Sequence, residues 1–235
     1  MIIGGLQKMT LVDYPGRVAA TVFTRGCSFR CGFCHNPELV LPGGFNPEMT
    51  PDEIWDFLMK RRGKLEGVCL TGGEPLLFAD TKDFMHKLKE LGFLVKLDSN
   101  GSFPDRLREV IDLGVVDYIA MDIKSPLPRY AEVALAEGRR PKVKLLEKNI
   151  QESIKLIMDS GIDYEFRTTV VKPILSVGDF PAIGKMIGGA RRYYIQNFTR
   201  SKHVDETVNW QPFSDAEIES IRSIMQQYVK AVGIR

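Results

Sequence analysis

The chain has no apolar run approaching the roughly 18 residues of a membrane span, no excess of either charge, and no internal repeat or low-complexity stretch. Lys and Arg total 32 against 30 Asp and Glu, a formal charge of +2. Net charge therefore gives no reason to expect nucleic acid or a membrane surface as partner. Basic pairs such as Arg61-Arg62, Arg139-Arg140 and Arg191-Arg192 are scattered and read as solvated surface. The opening residues make no secretion signal, because Lys8, Asp13 and Arg17 interrupt any apolar core. A cytoplasmic location is expected, where thiols stay reduced. Cysteine is scarce, and four in 235 residues do not make a disulfide scaffold. What remains is an ordinary globular composition, 44% hydrophobic and 26% charged.

Short β-branched runs alternate with longer amphipathic ones. Val18–Thr24 reads as a strand. Thr50-Pro51-Asp52-Glu53 is a capping box with proline in the first turn, and Ile54, Trp55, Phe57 and Leu58 give the helix its apolar face. Gly67–Thr71, Phe93–Leu97, Val115–Met121, Tyr164–Val171 and Arg192–Gln196 read as further strands. Helices are expected around Phe84–Leu91, Pro104–Leu113, Ile150–Met158 and Phe180–Ile187. A last one starts at the capping box Ser214/Glu217. Two stretches look irregular, Ser125–Pro141 and Thr199–Pro212. About six strand–helix units argue a parallel sheet covered by helices, either an open doubly wound sheet or part of a barrel. Either way, function belongs at the C-terminal ends of the strands.

The cysteines are clustered. Cys27, Cys31 and Cys34 follow the first expected strand in the spacing C-x3-C-x2-C, and Cys69 stands apart. Three thiolates this close can wrap one multinuclear centre, and a [4Fe–4S] cube held by three leaves one iron open. Other readings compete. A zinc site needs a fourth ligand, for which Cys69 or His35 is available. Cys31-Gly32-Phe33-Cys34-His35 also matches the c-type haem pattern, although that leaves Cys27 unexplained. Three unrelated core cysteines are the plainest reading. Cys69, inside a strand pattern, reads as a core residue.

Polar groups recur at the next strand ends. Gly72-Gly73-Glu74-Pro75 could let a ligand approach the backbone while Glu74 meets an ammonium group, or could simply be a turn. Asp98-Ser99-Asn100-Gly101 carries an Asn-Gly turn signal. Asp122 and Lys124 stand two apart on a strand and so face the same way, as a plain ion pair or as site residues. Arg167 lies inside a strand pattern, at an edge or pointing into a site.

Taken together, CxxxCxxC with its CHNP tail, GGEP, DxNG and DIK after successive strands resemble the radical S-adenosylmethionine (SAM) enzymes, and within them the glycyl-radical-enzyme activating group. The resemblance runs from about Gly5 to Arg167. The opening, Gly5-Leu6-Gln7-Lys8 through Leu11-Val12-Asp13-Tyr14-Pro15-Gly16, looks most like the activating proteins of anaerobic ribonucleoside-triphosphate reductase, with pyruvate formate-lyase activating enzymes as near relatives.

The resemblance implies a single α/β domain over residues 1–235. It would be a partial (β/α)6 TIM-type barrel with its core at about 17–200 and a C-terminal helix at about 214–230. Cys27, Cys31 and Cys34 would hold three irons of a [4Fe–4S] cluster, whose fourth iron takes the amino and carboxylate groups of SAM. Gly72, Gly73 and Glu74 would receive the SAM amino group, Lys124 would contact SAM, and Arg167 is a further contact. Phe33 matches an aromatic position near the adenine. Asp98 and Asp122, with Ser99, match positions that in some activases help bind a monovalent cation. The implied reaction is reductive SAM cleavage followed by hydrogen-atom abstraction from a glycine Cα of a partner glycyl radical enzyme. A flavodoxin or ferredoxin would supply the electron, and no protein general base is required. One departure is Gln196-Asn197-Phe198, where some relatives carry a ribose-contacting histidine. With only Cys69 left over, a second cluster is not expected. The alternatives are a small-molecule radical SAM enzyme resembling carboxy-deazaguanine synthases, against which DxNG, DIK and CHNP count, and a non-enzymatic zinc-binding module.

Overall fold

A β-hairpin-like pair absent from the periodicity reading opens the chain. In the computed structural model, which describes residues 1–40, 50–134, 143–200 and 208–235, β1 (Ile3–Thr10) pairs antiparallel with β2 (Ala19–Thr24). Its pattern is hidden by Gly4-Gly5 and by two register shifts along the pair, so strict alternation is lost. After β2 come a one-turn helix, α1 (Pro37–Val40), and α2 (Pro51–Lys60). The capping box at Thr50 forms as expected, with Glu53 N–H donating to Thr50 Oγ1 and Thr50 N–H donating to Glu53 Oε2 at 2.7 Å.

The parallel part follows: β3 (Gly67–Gly72), α3 (Thr81–Glu90), β4 (Leu94–Ser99), α4 (Pro104–Asp112) and β5 (Tyr118–Asp122). In the sheet, β1 to β4 lie side by side in chain order. The register sets Thr24 beside Gly72 and Cys69 beside Lys96. The described residues divide into two compact units. The first comprises Met1–Ser28, Asn36–Ser99 and Phe103–Ile119, and the second Phe29–His35, Asn100–Ser102 and Ala120–Arg235. In the first unit Val22, Ile54, Leu58, Leu70 and Leu88 are wholly buried between strands and helices. Trp55 and Phe84 stack there with ring centroids 4.6 Å apart.

The second unit holds α5 (Tyr130–Ala134), α6 (Val143–Asp159), β6 (Asp163–Val170), α7 (Phe180–Met186), β7 (Tyr193–Asn197), α8 (Asp215–Met225) and a three-residue β8 (Val232–Ile234). β6, β7 and β8 are parallel, with Phe166 beside Tyr193 and Tyr193 beside Val232. Ile150, Ile157, Phe166, Phe180 and Ile221 form its buried centre. The stretch expected to be irregular at 125–141 contains a 3₁₀ turn and α5 in its described part, and its remainder lies outside the described residues. Thr199–Pro212 is likewise described only at its ends, where Lys172 and Gln211 form an isolated antiparallel bridge. Among the described residues no helix is long and apolar enough to cross a membrane.

The α8 capping box generates a pH prediction. Glu217 Oε2 accepts from Ser214 N–H at 2.8 Å and lies 2.7 Å from Lys172 Nζ. The Lys172 hydrogen bond first, then the cap, hold the carboxyl down to about 2. A depressed carboxyl contributes its stability above its unfolded value, roughly 4.3, and loses it as pH falls through the folded one. The difference in thermal midpoint between the wild type and Glu217→Gln should be constant above about pH 5 and close between there and pH 2. Circular-dichroism melts across that range measure it. A gap that persists at the acid end would show that the charge is not what Glu217 contributes.

Candidate functional site

The first unit carries Cys27, the GGEP turn and the end of β4. Cys27 lies three residues past β2 and is half-buried. The loop that holds it is clasped by the next strand end. Gly73 N–H donates to Thr24 O and Glu74 N–H donates to Gly26 O, both at 2.8 Å. A Cβ on Gly73 would stand 1.9 Å from the Gly26 carbonyl oxygen, so only glycine permits this backbone-on-backbone contact. The glycines are thus more than a turn, because they lock the GGEP segment to the cysteine loop.

Glu74 is wholly buried. Its Oε1 accepts from Leu76 N–H at 3.1 Å, capping the 3₁₀ turn Pro75–Leu77, and from Ser99 Oγ at 2.9 Å. Arg106 donates to the carbonyls of Leu76 (2.7 Å) and Leu77, fixing the same turn from α4. Asp98 is brought together with residues the sequence reading had not singled out. It pairs with the Lys96 ammonium, accepts from Thr71 Oγ1 at 3.3 Å, and lies 3.8 Å from the Cys69 thiol. Cys69 is completely buried, as expected of a core residue.

The second unit carries the remaining thiols and the charged strand ends. Cys34 N–H donates to Cys31 O at 3.1 Å, closing a turn between the two half-buried cysteines. The intervening residues are packed from one side. A Cβ on Gly32 would come within 2.4 Å of the Trp210 ring. Phe33 is buried with Val133, Val171 and Phe198, its ring edge-on to Trp210 at 6.5 Å. Phe33, expected to lie near an adenine, is therefore enclosed by protein, and the partly exposed aromatic beside it is Trp210. Asn197, at the point where a ribose contact was in question, brackets Phe213 instead, donating to its carbonyl at 2.9 Å and accepting from its N–H at 3.0 Å.

Asp122, Lys124 and Arg167 come together as one group. Arg167 Nε donates to Asp122 Oδ1 at 2.9 Å and Lys124 Nζ donates to Oδ2 at 3.0 Å. Ile123 N–H donates to Arg167 O at 2.7 Å, holding the strand ends in step. Tyr130, fully buried, donates to Asp122 O and accepts from Lys124 N–H. Burial alone would raise the Asp122 carboxyl, but the Arg167 and Lys124 charges outweigh it and hold the group well below the carboxylate range. Burial pulls Lys124 down, yet Asp122 and then Cys31 keep it above the usual lysine value. Burial pushes the Cys31 thiol up to about 11, with Lys124 opposing. The Asn-Gly signal is an Asx turn, Ser102 N–H donating to Asn100 Oδ1 at 3.0 Å, and α6 secures it through Ser153 Oγ to Gly101 O at 2.8 Å.

Among the described residues no three His, Cys, Asp or Glu side chains form a ready-made cage for one metal ion. The donor set fits an iron–sulfur group: three soft thiols stand within eight residues, and the Lys124 charge opposes the burial that raises the Cys31 thiol. Sequence reasoning missed Lys96, Thr71, Arg106, Tyr130 and Trp210. Of these only Lys96 left a signal, standing two residues before Asp98 just as Asp122 stands two before Lys124.

Comparison with known proteins adds the family. A model described as the radical SAM superfamily matches residues 21–186. The "Putative glycyl-radical enzyme activating enzyme MJ1227" of Methanocaldococcus jannaschii is 29% identical over 239 residues, covering 100% of this chain and 95% of that protein. The pyruvate formate-lyase-activating enzyme of Listeria monocytogenes is 33% identical over 136 residues, about half of each chain (54% and 54%). The 7-carboxy-7-deazaguanine synthase of Methanopyrus kandleri is 31% identical over 133 residues, 48% of this chain and 52% of that one. Streptococcus suis SuiB bound to S-adenosylmethionine superposes with a TM-score of 0.65 at 13% identity, over 90% of this chain and 48% of SuiB. That likeness bears on the fold, and it agrees with the α/β class expected from the strand–helix alternation.

The Gly73 clasp is testable without any ligand. Gly73→Ala should destabilise the chain by about 2 kcal/mol or more, because backbone has no rotamer by which to yield. Gly178→Ala, whose added carbon would meet only Ser176 Oγ at 3.6 Å, should stay close to wild type. Urea denaturation of the two variants decides it, and equal midpoints would refute the clasp.

Proposed function

The chain belongs to the radical SAM superfamily, and from that premise we propose that it is an activating enzyme that installs a glycyl radical on a separate protein, with anaerobic ribonucleoside-triphosphate reductase as that partner. The observation that carries this reading is the match to MJ1227, which spans the whole chain, whereas the Listeria and Methanopyrus relatives span about half of it. The opening segment, Gly5 to Gly16, supports the choice of partner.

When bound, the [4Fe–4S] cluster and SAM supply one-electron cleavage of the sulfonium and the hydrogen-abstracting power that follows from it. Cys27, Cys31 and Cys34 would be the cluster's protein ligands. Lys124 makes a thiolate at Cys31 easier to hold. Asp122 keeps Lys124 and Arg167 at fixed positions on their strand ends. The result is a surplus positive charge suited to an anionic group such as the SAM carboxylate. In the first unit Glu74, Ser99 and Arg106 keep the GGEP turn rigid, so that its backbone can take the SAM amino group at little ordering cost. Gly72 and Gly73 would contribute that backbone. A flavodoxin or ferredoxin is the proposed electron donor.

The test is anaerobic reconstitution with iron and sulfide, reduction, and addition of SAM. We expect 5′-deoxyadenosine, an EPR signal of the cluster that changes on adding SAM, and a glycyl-radical EPR signal only when the partner reductase is added. Cys31→Ala should bind no cluster and make no deoxyadenosine while its melting curve stays near that of the cluster-free wild type. Deoxyadenosine without transfer to any glycyl radical enzyme, but with formation of 7-carboxy-7-deazaguanine, would favour the synthase reading suggested by the Methanopyrus relative. A protein holding zinc and indifferent to SAM would overturn the enzyme reading.

A further inference from the structure

The resemblance put Asp98, Ser99 and Asp122 at positions where some activases bind a monovalent cation, and the structure does not fit that ion. We infer that this chain carries its own countercation: the ammonium of Lys96 occupies the place of a monovalent cation at Asp98, making the site independent of sodium and potassium.

The argument lies within the first unit. Lys96 is the residue of β4 two before Asp98, so both side chains leave the same face of the strand. Its side chain is 1% exposed and that of Asp98 is 13% exposed. A lysine buried so deeply keeps its charge only against a partner. The Asp98 carboxylate is in contact with it, the Cys69 thiol is 3.7 Å from Nζ, and the Tyr118 ring centroid is 6.0 Å away. Thr71 supplies a hydroxyl to the other carboxylate oxygen at 3.3 Å. An added cation at Asp98 would meet this ammonium at close range and be repelled. Asp122 is no better as an ion ligand, since both of its oxygens are taken by Arg167 and Lys124 in the second unit. Ser99, the third member of the expected set, donates its hydroxyl to Glu74. Every expected ligand therefore has a protein partner in its own unit. Lys96 is a positioning residue: it fixes the Asp98 carboxylate at the end of β4.

The test compares the wild type with Lys96→Ala, which leaves room for an ion, and Lys96→Met, which keeps the stem and removes the charge. Melting of the cluster-free chain is followed in choline, sodium and potassium chloride at one ionic strength. The wild type should melt at the same temperature in all three and show no thallium(I) binding by NMR. Both variants should melt roughly 10 °C lower in choline, as expected for breaking a buried ion pair in a chain of this length. Potassium should restore at least half of the loss in Lys96→Ala and none in Lys96→Met. Potassium stabilisation or thallium binding in the wild type overturns the proposal, as does a Lys96→Met protein that melts like wild type. If Lys96→Ala fails to fold, the wild type and Lys96→Met still decide. A second arm, which rests on the proposed function, measures SAM affinity of the reconstituted protein. Wild type should bind equally in choline and potassium, and Lys96→Ala at least tenfold more weakly in choline with recovery in potassium. Absence of SAM binding by the wild type would count against the proposed function alone, because the melting arm needs neither cluster nor SAM.

Discussion

A carboxylate at the inner end of a parallel strand cannot stay charged unless a cation is brought to it, and that constraint organises both units. Isolated charge is costly to bury, whereas a well-paired one with its remaining lone pairs satisfied can be held. The chain meets the requirement twice with a lysine two residues away: Lys96 for Asp98 within β4, and Lys124, just past the end of β5, for Asp122. The period of a strand makes this automatic, since residues i and i+2 share a face. The two pairs differ in one respect. Asp122 also takes Arg167 from β6, leaving a surplus positive charge that acts on Cys31, whereas the Asp98–Lys96 pair is balanced. Two further carboxylates are fully buried: Glu74 accepts hydrogen bonds from Ser99 and Leu76, and Glu165 is paired with Arg235.

Steric constraint complements the electrostatic one. Loops that leave neighbouring parallel strands on the same side can touch through backbone only where side chains are missing. Gly73 against Gly26 is such a contact, and it ties the GGEP segment to the loop bearing Cys27. In the second unit Gly32 is left bare so that Trp210 can lie on the loop bearing Cys31 and Cys34. Glycines that read as ligand-facing from sequence are thus also packing devices, and the two roles are compatible: the same absence of a Cβ that admits a neighbouring backbone keeps the loop rigid.

Most of the fold was legible because its elements are strongly periodic and well capped. The helices at Pro51, Pro104 and Asp215 begin where their cap residues or first-turn prolines put them. The strand ends after β2, β3, β4 and β5 carry the polar motifs that the alternation predicted for that face. What escaped had physical reasons. β1 is an antiparallel edge strand whose alternation is broken by adjacent glycines and shifted register, and β8 is too short for periodicity to speak. The burial of Phe33 is not legible locally, because an aromatic between two cysteines looks the same whether it packs in a core or borders a ligand. Only the arrival of Val133, Val171, Phe198 and Trp210 from distant sequence settles its burial. Lys96 escaped because a single lysine in an apolar strand is usually an outward residue, and its spacing from Asp98 says only that the two share a face, not that the face is buried.

The charge arrangement also bears on what kind of chemistry these residues can do. A general acid or base works best with a pKa near the working pH. Here the groups are driven the other way: Asp122 is held below the carboxylate range by Arg167 and then Lys124, and Lys124 is held above its ordinary range by Asp122, in both cases against the effect of burial. Tyr130, beside them, is raised by burial. Asp122 and Lys124 cannot exchange a proton at neutral pH without breaking their ion pair, and the Tyr130 hydroxyl is held between the backbone of the same two residues. A site so built holds charge in place and does not shuttle protons. Such a site suits a reaction whose bond cleavage is driven by electron transfer at a bound cofactor, with the protein contributing orientation and a fixed electrostatic field. The physical reading of the strand ends and the family membership of the chain therefore point the same way for independent reasons.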